Sequence, residues 1–380
     1  MSIRHIKHRR PHPPTSRSRC HPMNIDQRRV RRLRKGLERL TRRRGAMPAP
    51  QVLVRAPGFT FGFGDLSRPF YSASVGKIVT ATLIAMLVER ERFALTSPLR
   101  SVLPAADLAG LPSAPGVDVA ADVTVEHLLT HTSGIPDYFE PPRGAETDCS
   151  LTTLGRHRDR LWRAPDLLDE VRRLPAVGRP GEFLHYADSN YVLLARVIEE
   201  ASGERFADHA RARVLEPSGM EHASMPYLPD EPPEDLTGLD AHPFWVAGHE
   251  LSHARSMSCD LGGGTIVSTA EDLVRFQRAL HGGRLVSDNL RAYLLRPRRR
   301  LRRGVHYGAG SMTLRFGEIL PPLMRGLPEP VGHLGVTATH LAYYPDQDAH
   351  VVLNFHSTRQ MNASFMTHAR IAGILADGKA

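Results

Sequence analysis

Residues Phe70–Val88 read FYSASVGKIVTATLIAMLV. Ser74-Val75-Gly76-Lys77 stands at the mouth of this stretch, and an apolar run follows at once. A helix starting at Val75 would set Lys77 almost one turn beyond Ser74, so the amine could approach the hydroxyl. That is the arrangement a serine nucleophile with an adjacent base requires. Ile78, Val79, Ala81, Leu83, Ile84, Met86, Leu87 and Val88 are apolar nearly all round, which predicts a helix buried at the centre of the fold. S-x-x-K alone decides little, because four loosely specified positions recur by chance. The same residues admit a plainer reading, in which Ser74 caps the helix and Lys77 snorkels to water. The stretch by itself leaves both open.

Lysine usage tilts the balance. Of 50 Lys and Arg only four are lysine: Lys7, Lys35, Lys77 and Lys379. Arginine cannot give up its proton in a protein, whereas a desolvated lysine can. A chain that avoids lysine yet sets one beside a serine points to a titratable amine there. The positive charge is otherwise concentrated at the start. Residues 1–44 hold 16 Lys/Arg against Asp26 and Glu38, a net +14, while the rest of the chain carries −4. The first 23 residues, basic and rich in proline, read as a disordered arm without an apolar signal region. The run Ile78–Val88 is too short to span a bilayer, and the expected location is the cytoplasm. Three cysteines, Cys20, Cys149 and Cys259, with no C-x-x-C pair, argue against a disulfide framework or a structural zinc site.

Outward from the serine stretch, the pattern predicts strands at both ends and helices between. From Asn24 onward Val30, Leu33, Leu37 and Leu40 fall at helical spacing with arginines among them. Such a helix could bind nucleic acid or an acidic membrane; the favoured reading packs its leucines on the body and solvates its arginines. Gln51–Arg55 and Phe59–Phe63 read as a hairpin around Pro57-Gly58. Thr124 can cap a helix over Val125–Thr130, a further helix is expected at Ala164–Arg173, and the helix after Asn190 is stopped by Gly203. Gly262-Gly263-Gly264 leads into a capping box, Ser268 to Glu271, that opens a helix over Ala270–Leu280. Arg296–Arg303, without interleaved aromatics, reads as an exposed loop, and nucleic acid is not the expected partner. The tail predicts three strands, His306–Arg315, Val331–Tyr344 and Val351–His356, then a helix over Met361–Leu375. The fold class expected is α/β (α+β): one sheet from both termini (about residues 24–95 and 262–380) with a helical region inserted at about 96–261.

Two further clusters could complete a site. Tyr186 and Asp188 sit just before a helix, where polar groups can point into a cleft. His333-Leu334-Gly335 lies on a predicted strand, where Gly335 would allow close approach of a substrate. Each has a plain alternative: a packing tyrosine, a satisfied histidine, a bulge glycine. In order and spacing, however, Ser74 to Lys77, Tyr186-Ala187-Asp188 and His333-Leu334-Gly335 resemble the three motifs of the serine β-lactamase and penicillin-binding-protein superfamily: S-x-x-K, Y-x-N and K-T-G or H-x-G. The resemblance is closest to class C β-lactamases, serine DD-peptidases, D-aminopeptidases and β-lactamase-like esterases. It extends from about Val52 to the C-terminus through VTVEHLLTHTSGIPDY, NYVLLARVIEEASG, GGGTIVSTAEDLVRF and GHLGVTATHLAYYPDQDAHVVL.

The resemblance implies an antiparallel sheet with flanking helices and an acyl-enzyme on Ser74. Lys77 and Tyr186 would share the acid and base work, the ammonium favouring phenolate character on Tyr186. The N–H groups of Ser74 and Val336 would form the oxyanion hole, His333 would hydrogen-bond toward the Tyr186 side of the site, and Asp188 would orient Lys77 and the substrate. Neither a metal nor another cofactor is called for; the implied partner is a small-molecule substrate. The departures bear on which one. Asp188 replaces asparagine, His333 replaces lysine and so removes a fixed cation, and Leu334 and Val336 stand where hydroxyl residues often grip a carboxylate. These favour an esterase or amidase on a less anionic substrate. The alternatives are a β-lactamase or D-amino-acid peptidase, or a silent member with a binding role.

Overall fold

The computed structural model describes residues 25–43, 45, 47–228 and 236–377. The expected basic arm at residues 1–23 lies outside the described residues. The first helix, α1 (Gln27–Arg42), is capped by the Asp26 carboxylate, which accepts from the Arg28 N–H at 2.7 Å. It buries Leu33 and Leu37 and turns its arginines to solvent, so the leucine stripe packs on the body. Next come β1 (Gln51–Ala56) and β2 (Phe59–Phe63), paired antiparallel with Val54 opposite Phe61. Gly58 turns the hairpin at φ 71°.

The serine stretch begins with a 3-10 turn over Ala73–Val75, and α2 (Gly76–Glu89) follows. The helix therefore starts one residue later than the pattern predicted, because the chain first turns tightly to present Ser74. Every residue of α2 from Gly76 to Leu87 is buried. The middle of the chain supplies α3 (Val125–Leu129), α4 (Ala164–Arg172) and α5 (Asp188–Ser202). Thr124 caps α3 through the His127 N–H, and Gly203, at φ 73°, ends α5. Next is α6 (Ala270–His281), capped not by Ser268 but by Thr269, whose hydroxyl accepts from the Asp272 N–H at 3.2 Å. Ser268 is instead buried in a short strand pairing with Phe70.

The C-terminal part holds more strands than expected: β3 (Arg299–Arg302), β4 (Val305–Tyr307), β5 (Met312–Leu314), β6 (Val331–Gly335), β7 (Thr339–Tyr344) and β8 (Ala349–Asn354), then α7 (Met361–Asp377). The arginine cluster is thus an edge strand rather than a loop, with Arg299 opposite Tyr307. Its charges blunt that edge against pairing with another chain. The eight strands form one antiparallel sheet in the order β2-β1-β8-β7-β6-β5-β4-β3. Strands from the two chain ends meet at its interior, with Gln51 opposite Asn354 and Leu53 opposite Val352.

Alternation along the central strands splits the core into two layers. Val52, Val54, Ala342, Tyr344, Val351 and Leu353 face α1 and α7. Leu53, Leu341 and Val352 face the larger helical body that contains α2, α5 and α6. Between β7 and α7 the polar contacts are histidines: His340 meets His368 at 3.0 Å and Ser364 Oγ at 2.8 Å. Among the described residues no helix is long and apolar enough to cross a membrane, and no group of three or more His, Cys, Asp or Glu is placed to hold a metal ion.

Candidate active site

Ser74 is presented by strain and close packing. Ala73 has φ 50°, the left-handed region that a residue with a Cβ seldom adopts, so the chain reverses sharply just before the serine. Behind the turn lies the glycine run. A Cβ on Gly264 would stand 2.2 Å from the Ala73 carbonyl oxygen, and one on Gly76 would stand 2.7 Å from the Gly264 Cα. Thr80 Oγ1 donates to the Gly262 carbonyl at 2.6 Å and ties α2 to the same run. The glycines are therefore what lets the start of α2 sit against the chain at 262–264.

Lys77 Nζ lies 3.2 Å from Ser74 Oγ and forms an ion pair with Asp188, the first residue of α5. The ammonium is sealed from solvent and stands 5.2 Å from the ring centres of both Tyr186 and Tyr191. Burial works against its charge, but Asp188, then Tyr186 and Asp260, lift its pKa well above the usual lysine value. In the free site the charged partners outweigh desolvation.

Tyr186 precedes α5 with its hydroxyl shielded from solvent and engaged in no hydrogen bond of ordinary geometry. Burial raises its pKa; the opposing pull of Lys77 is too weak to reverse this, and Asp188 adds to the rise. The side chain stays a phenol in the free site, contrary to the phenolate character expected. His333, on β6, is neutral: burial first, then Lys77, pushes its pKa down to about 3. Its Nδ1–H donates to the Leu334 carbonyl at 2.8 Å, and Nε2 is buried without a partner. It does not hydrogen-bond toward the Tyr186 side of the site as expected; the two rings are 6.3 Å apart. Gly335 also differs in its reason. A Cβ there would come within 2.8 Å of the Ala73 Cβ and 2.9 Å of the Ser72 carbonyl oxygen, so the close approach is made by the chain's own turn. Val336, one residue on, borders a narrow cleft shared with Ser74, Asp188, Tyr71, Tyr138, Phe139, Val246 and Met257.

Several residues in and around this site were not singled out from the sequence. His131, in the THTSG stretch, accepts the Ala187 N–H at Nδ1 (3.1 Å) and packs 4.3 Å from the Tyr186 ring, which holds the Tyr186 loop in place. Asp137 accepts from the Asp188 N–H at 2.8 Å and from the Phe139 and Glu140 N–H groups. Burial, then Asp188, raises its pKa to about 8. Asp260, three residues before the second glycine of the run, accepts from the Tyr71 hydroxyl. Burial pushes it up to about 7 against the pull of Lys77. One buried ammonium thus faces the carboxyl groups of Asp188 and Asp260, with Asp137 behind Asp188. The signal that could have found them is an aspartate inside an otherwise small and apolar run, as in CDLGGG and GIPDY.

A model of the family described as Beta-lactamase matches residues 66–375. The chain belongs to this beta-lactamase family. Within the family it is 31% identical over 224 residues to Penicillin-binding protein 4 of Amycolatopsis lactamdurans, covering 55% of this chain and 50% of that one. It is 33% identical over 156 residues to Esterase EstB of Burkholderia gladioli, covering 40% and 37%. The chain spans about half the length of the curated penicillin-binding relatives it matches. In fold it is similar to the D-amino acid amidase of Ochrobactrum anthropi SV3, with a TM-score of 0.73 at 20% identity, covering 92% of this chain and 99% of that one. This likeness extends the beta-lactamase-like architecture over nearly the whole chain.

Proposed function

We propose that the protein is a serine hydrolase that forms an acyl-enzyme on Ser74 and acts as an esterase or amidase on a small substrate. The observation that carries this is the 3.2 Å contact between Ser74 Oγ and the sealed Lys77 amine, on a strained turn at the edge of a cleft. Ser74 Oγ attacks the substrate carbonyl carbon as its proton passes to Lys77 in its neutral form, or to Tyr186 once the phenol has given up its own proton. For Lys77 to receive it, the ammonium must first lose its own proton. Asp260, whose carboxyl can hold a proton near neutrality, offers a destination. The N–H groups of Ser74 and Val336 receive the oxyanion, a donor pair in which the loss of one member costs roughly 100-fold in rate. The Tyr186 phenol donates to the leaving group, and water then releases the acyl group.

The surroundings support a neutral acyl group. His333 is uncharged and Lys77 is engaged by Asp188, so a substrate carboxylate would meet enclosed acids rather than a free cation. Tyr138, Phe139, Val246 and Met257 line the cleft with mostly apolar surface.

Labelling with a fluorophosphonate probe, read by intact mass, tests the nucleophile. The wild type takes up one probe and Ser74→Ala none; an unlabelled wild type, or equal labelling of the variant, overturns the assignment. A panel of p-nitrophenyl esters, nitrocefin and D-alanyl amides then ranks the substrates. Ester turnover is expected to lead, and nitrocefin turnover above it would move the protein to β-lactam chemistry.

A further inference from the structure

On the sheet face away from Ser74, α1, α7 and the segment 320–327 enclose a groove of about 540 Å³. Its floor is apolar: Leu33, Met324, Leu327, Ala369 and Ile374. Four large apolar side chains are exposed among the described residues, and three of them, Leu320 (43%), Leu323 (80%) and Met366 (42%), gather at this groove. The fourth, Phe183, lies elsewhere. Scattered apolar residues need no explanation, but three at one groove mark a contact surface.

The rim carries the opposite character. Arg29, Arg32, Arg39 and Arg370 line it. Arg29 is neutralised by Asp377 at 2.8 Å, while Arg32, Arg39 and Arg370 form no ion pair among the described residues. Arg28, Arg31 and Lys35 extend the positive surface along the exposed side of α1, broken only by Glu38. The packing of Leu33 and Leu37 against the body accounts for the leucine stripe of this helix. It does not account for its charge, nor for Leu323 standing out beside it.

The occupant follows from charge. Residues 1–24 carry six Lys/Arg and no acid, so they are repelled rather than drawn to this rim, and a second copy packed through the same face would bring the same sign. Nucleic acid would match the arginines, but no exposed aromatic offers a stacking platform there and the aliphatic side chains would go unused. An anionic lipid surface satisfies both halves, because the cations meet headgroups while Leu320, Leu323 and Met366 enter the acyl boundary. We propose that this face docks the protein peripherally on an anionic phospholipid bilayer, with Leu323 inserted and the α1 arginines against the headgroups. The proposal does not depend on the chemistry at Ser74, which opens on the other side of the sheet.

Co-sedimentation of the full chain with sucrose-loaded vesicles tests it. The protein is expected to pellet with phosphatidylcholine vesicles holding about 30% phosphatidylglycerol, not with phosphatidylcholine alone, and to be released in about 0.5 M salt. Leu323→Asp and the double variant Arg32→Glu/Arg39→Glu should each reduce partitioning about tenfold. Circular dichroism and fluorophosphonate labelling of Ser74 should be unchanged in both, since these side chains are exposed and remote from the serine. Three results overturn the proposal. The first is no pelleting with anionic vesicles, or equal pelleting with neutral ones. The second is binding that survives both variants but is lost on deleting residues 1–23, which assigns it to the arm. The third is retention on polyuridylate that the double variant abolishes and Leu323→Asp spares, which assigns the face to nucleic acid.

Discussion

At the scale of single residues, the Lys77–Asp188 pair and the Tyr186 hydroxyl hold opposite positions. Removing one partner of a buried ion pair leaves an uncompensated charge, and typical losses are about 3–5 kcal/mol. Asp260 remains near Lys77, so Asp188→Asn should fall at or below the lower end of that range in chemical denaturation. The same change should lower the Lys77 pKa, because Asp188 is the foremost group holding it up. If Lys77 takes the Ser74 proton, the pH at which probe labelling reaches half its maximum moves down by about one unit or more. A profile that keeps its midpoint assigns the base role to Tyr186. Tyr186→Phe should behave the other way. Its hydroxyl is buried without an ordinary hydrogen bond, so its removal should leave the melting temperature equal or higher, while labelling and turnover fall by roughly 100-fold or more. A tyrosine whose loss destabilises the fold without slowing the chemistry would be a packing residue.

At the scale of elements, the site is a wedge between the turn at Ala73–Val75 and the end of β6. Gly335 is the point of contact, and its neighbours on the turn are backbone and the Ala73 Cβ rather than flexible side-chain ends. Gly335→Ala must therefore displace either β6 or the turn. We expect a stability loss of about 1–3 kcal/mol and at least about a tenfold drop in labelling rate, measured by thermal melting and by probe kinetics at a temperature where the variant is folded. Labelling at the wild-type rate would mean that the turn absorbs the added methyl without moving Ser74. The elements were largely legible in advance. Two short strands around the Pro57-Gly58 turn, the all-round apolar face of Ile78–Val88, Thr124 before a short helix and Gly203 after a long one all act through neighbours close in sequence. What local pattern could not reveal was the edge strand at Arg299–Arg302, because its pairing partner determines it and its side chains mimic a solvated loop. The choice of Thr269 over Ser268 as a cap likewise depends on the pairing of Ser268 with Phe70.

At the scale of the whole molecule, buried titratable groups set the pH response. His131, His333, His340 and His368 are enclosed and neutral, their pKa values pushed down by burial, to about 3 for His333 and His368. Below pH 6.5 the unfolded chain takes up protons that these residues refuse in the fold, so stability drops by about 1.4 kcal/mol per histidine for each pH unit, for His333 and His368 down to about 3. Asp137 runs opposite. Raised to about 8, it keeps its proton in the fold where the unfolded chain has lost it, so its contribution weakens as pH climbs from about 4 through 8. Asp260, raised to about 7, acts in the same sense, and four histidines outweigh these two acids below 6.5. The melting temperature should fall by about 5 °C or more between pH 7 and pH 5; a flat profile over that span would mean that these imidazoles are reachable by water. Such burial is invisible to sequence reading. Ser74, Lys77, Tyr186, Asp188 and His333 could be named from motif order and from the scarcity of lysine. The charge states of Lys77 and Tyr186, and the carboxyls of Asp137 and Asp260, depend on what the fold encloses.

One consequence of the sheet order concerns how the protein is made. The N-terminal hairpin has its partner strand at the far end of the chain: Asn354 bonds to Gln51 across 303 positions. At roughly 5–20 residues per second of translation, β1 emerges tens of seconds before β8 exists to cover its second edge. During that interval an open, apolar strand waits beside a helical body that cannot close its floor. Ribosome-bound holding factors, or a slow rate of synthesis through residues 60–350, would therefore govern soluble yield more than the equilibrium stability of the finished protein. Placing residues 350–377 ahead of residue 25 by circular permutation should shorten that wait.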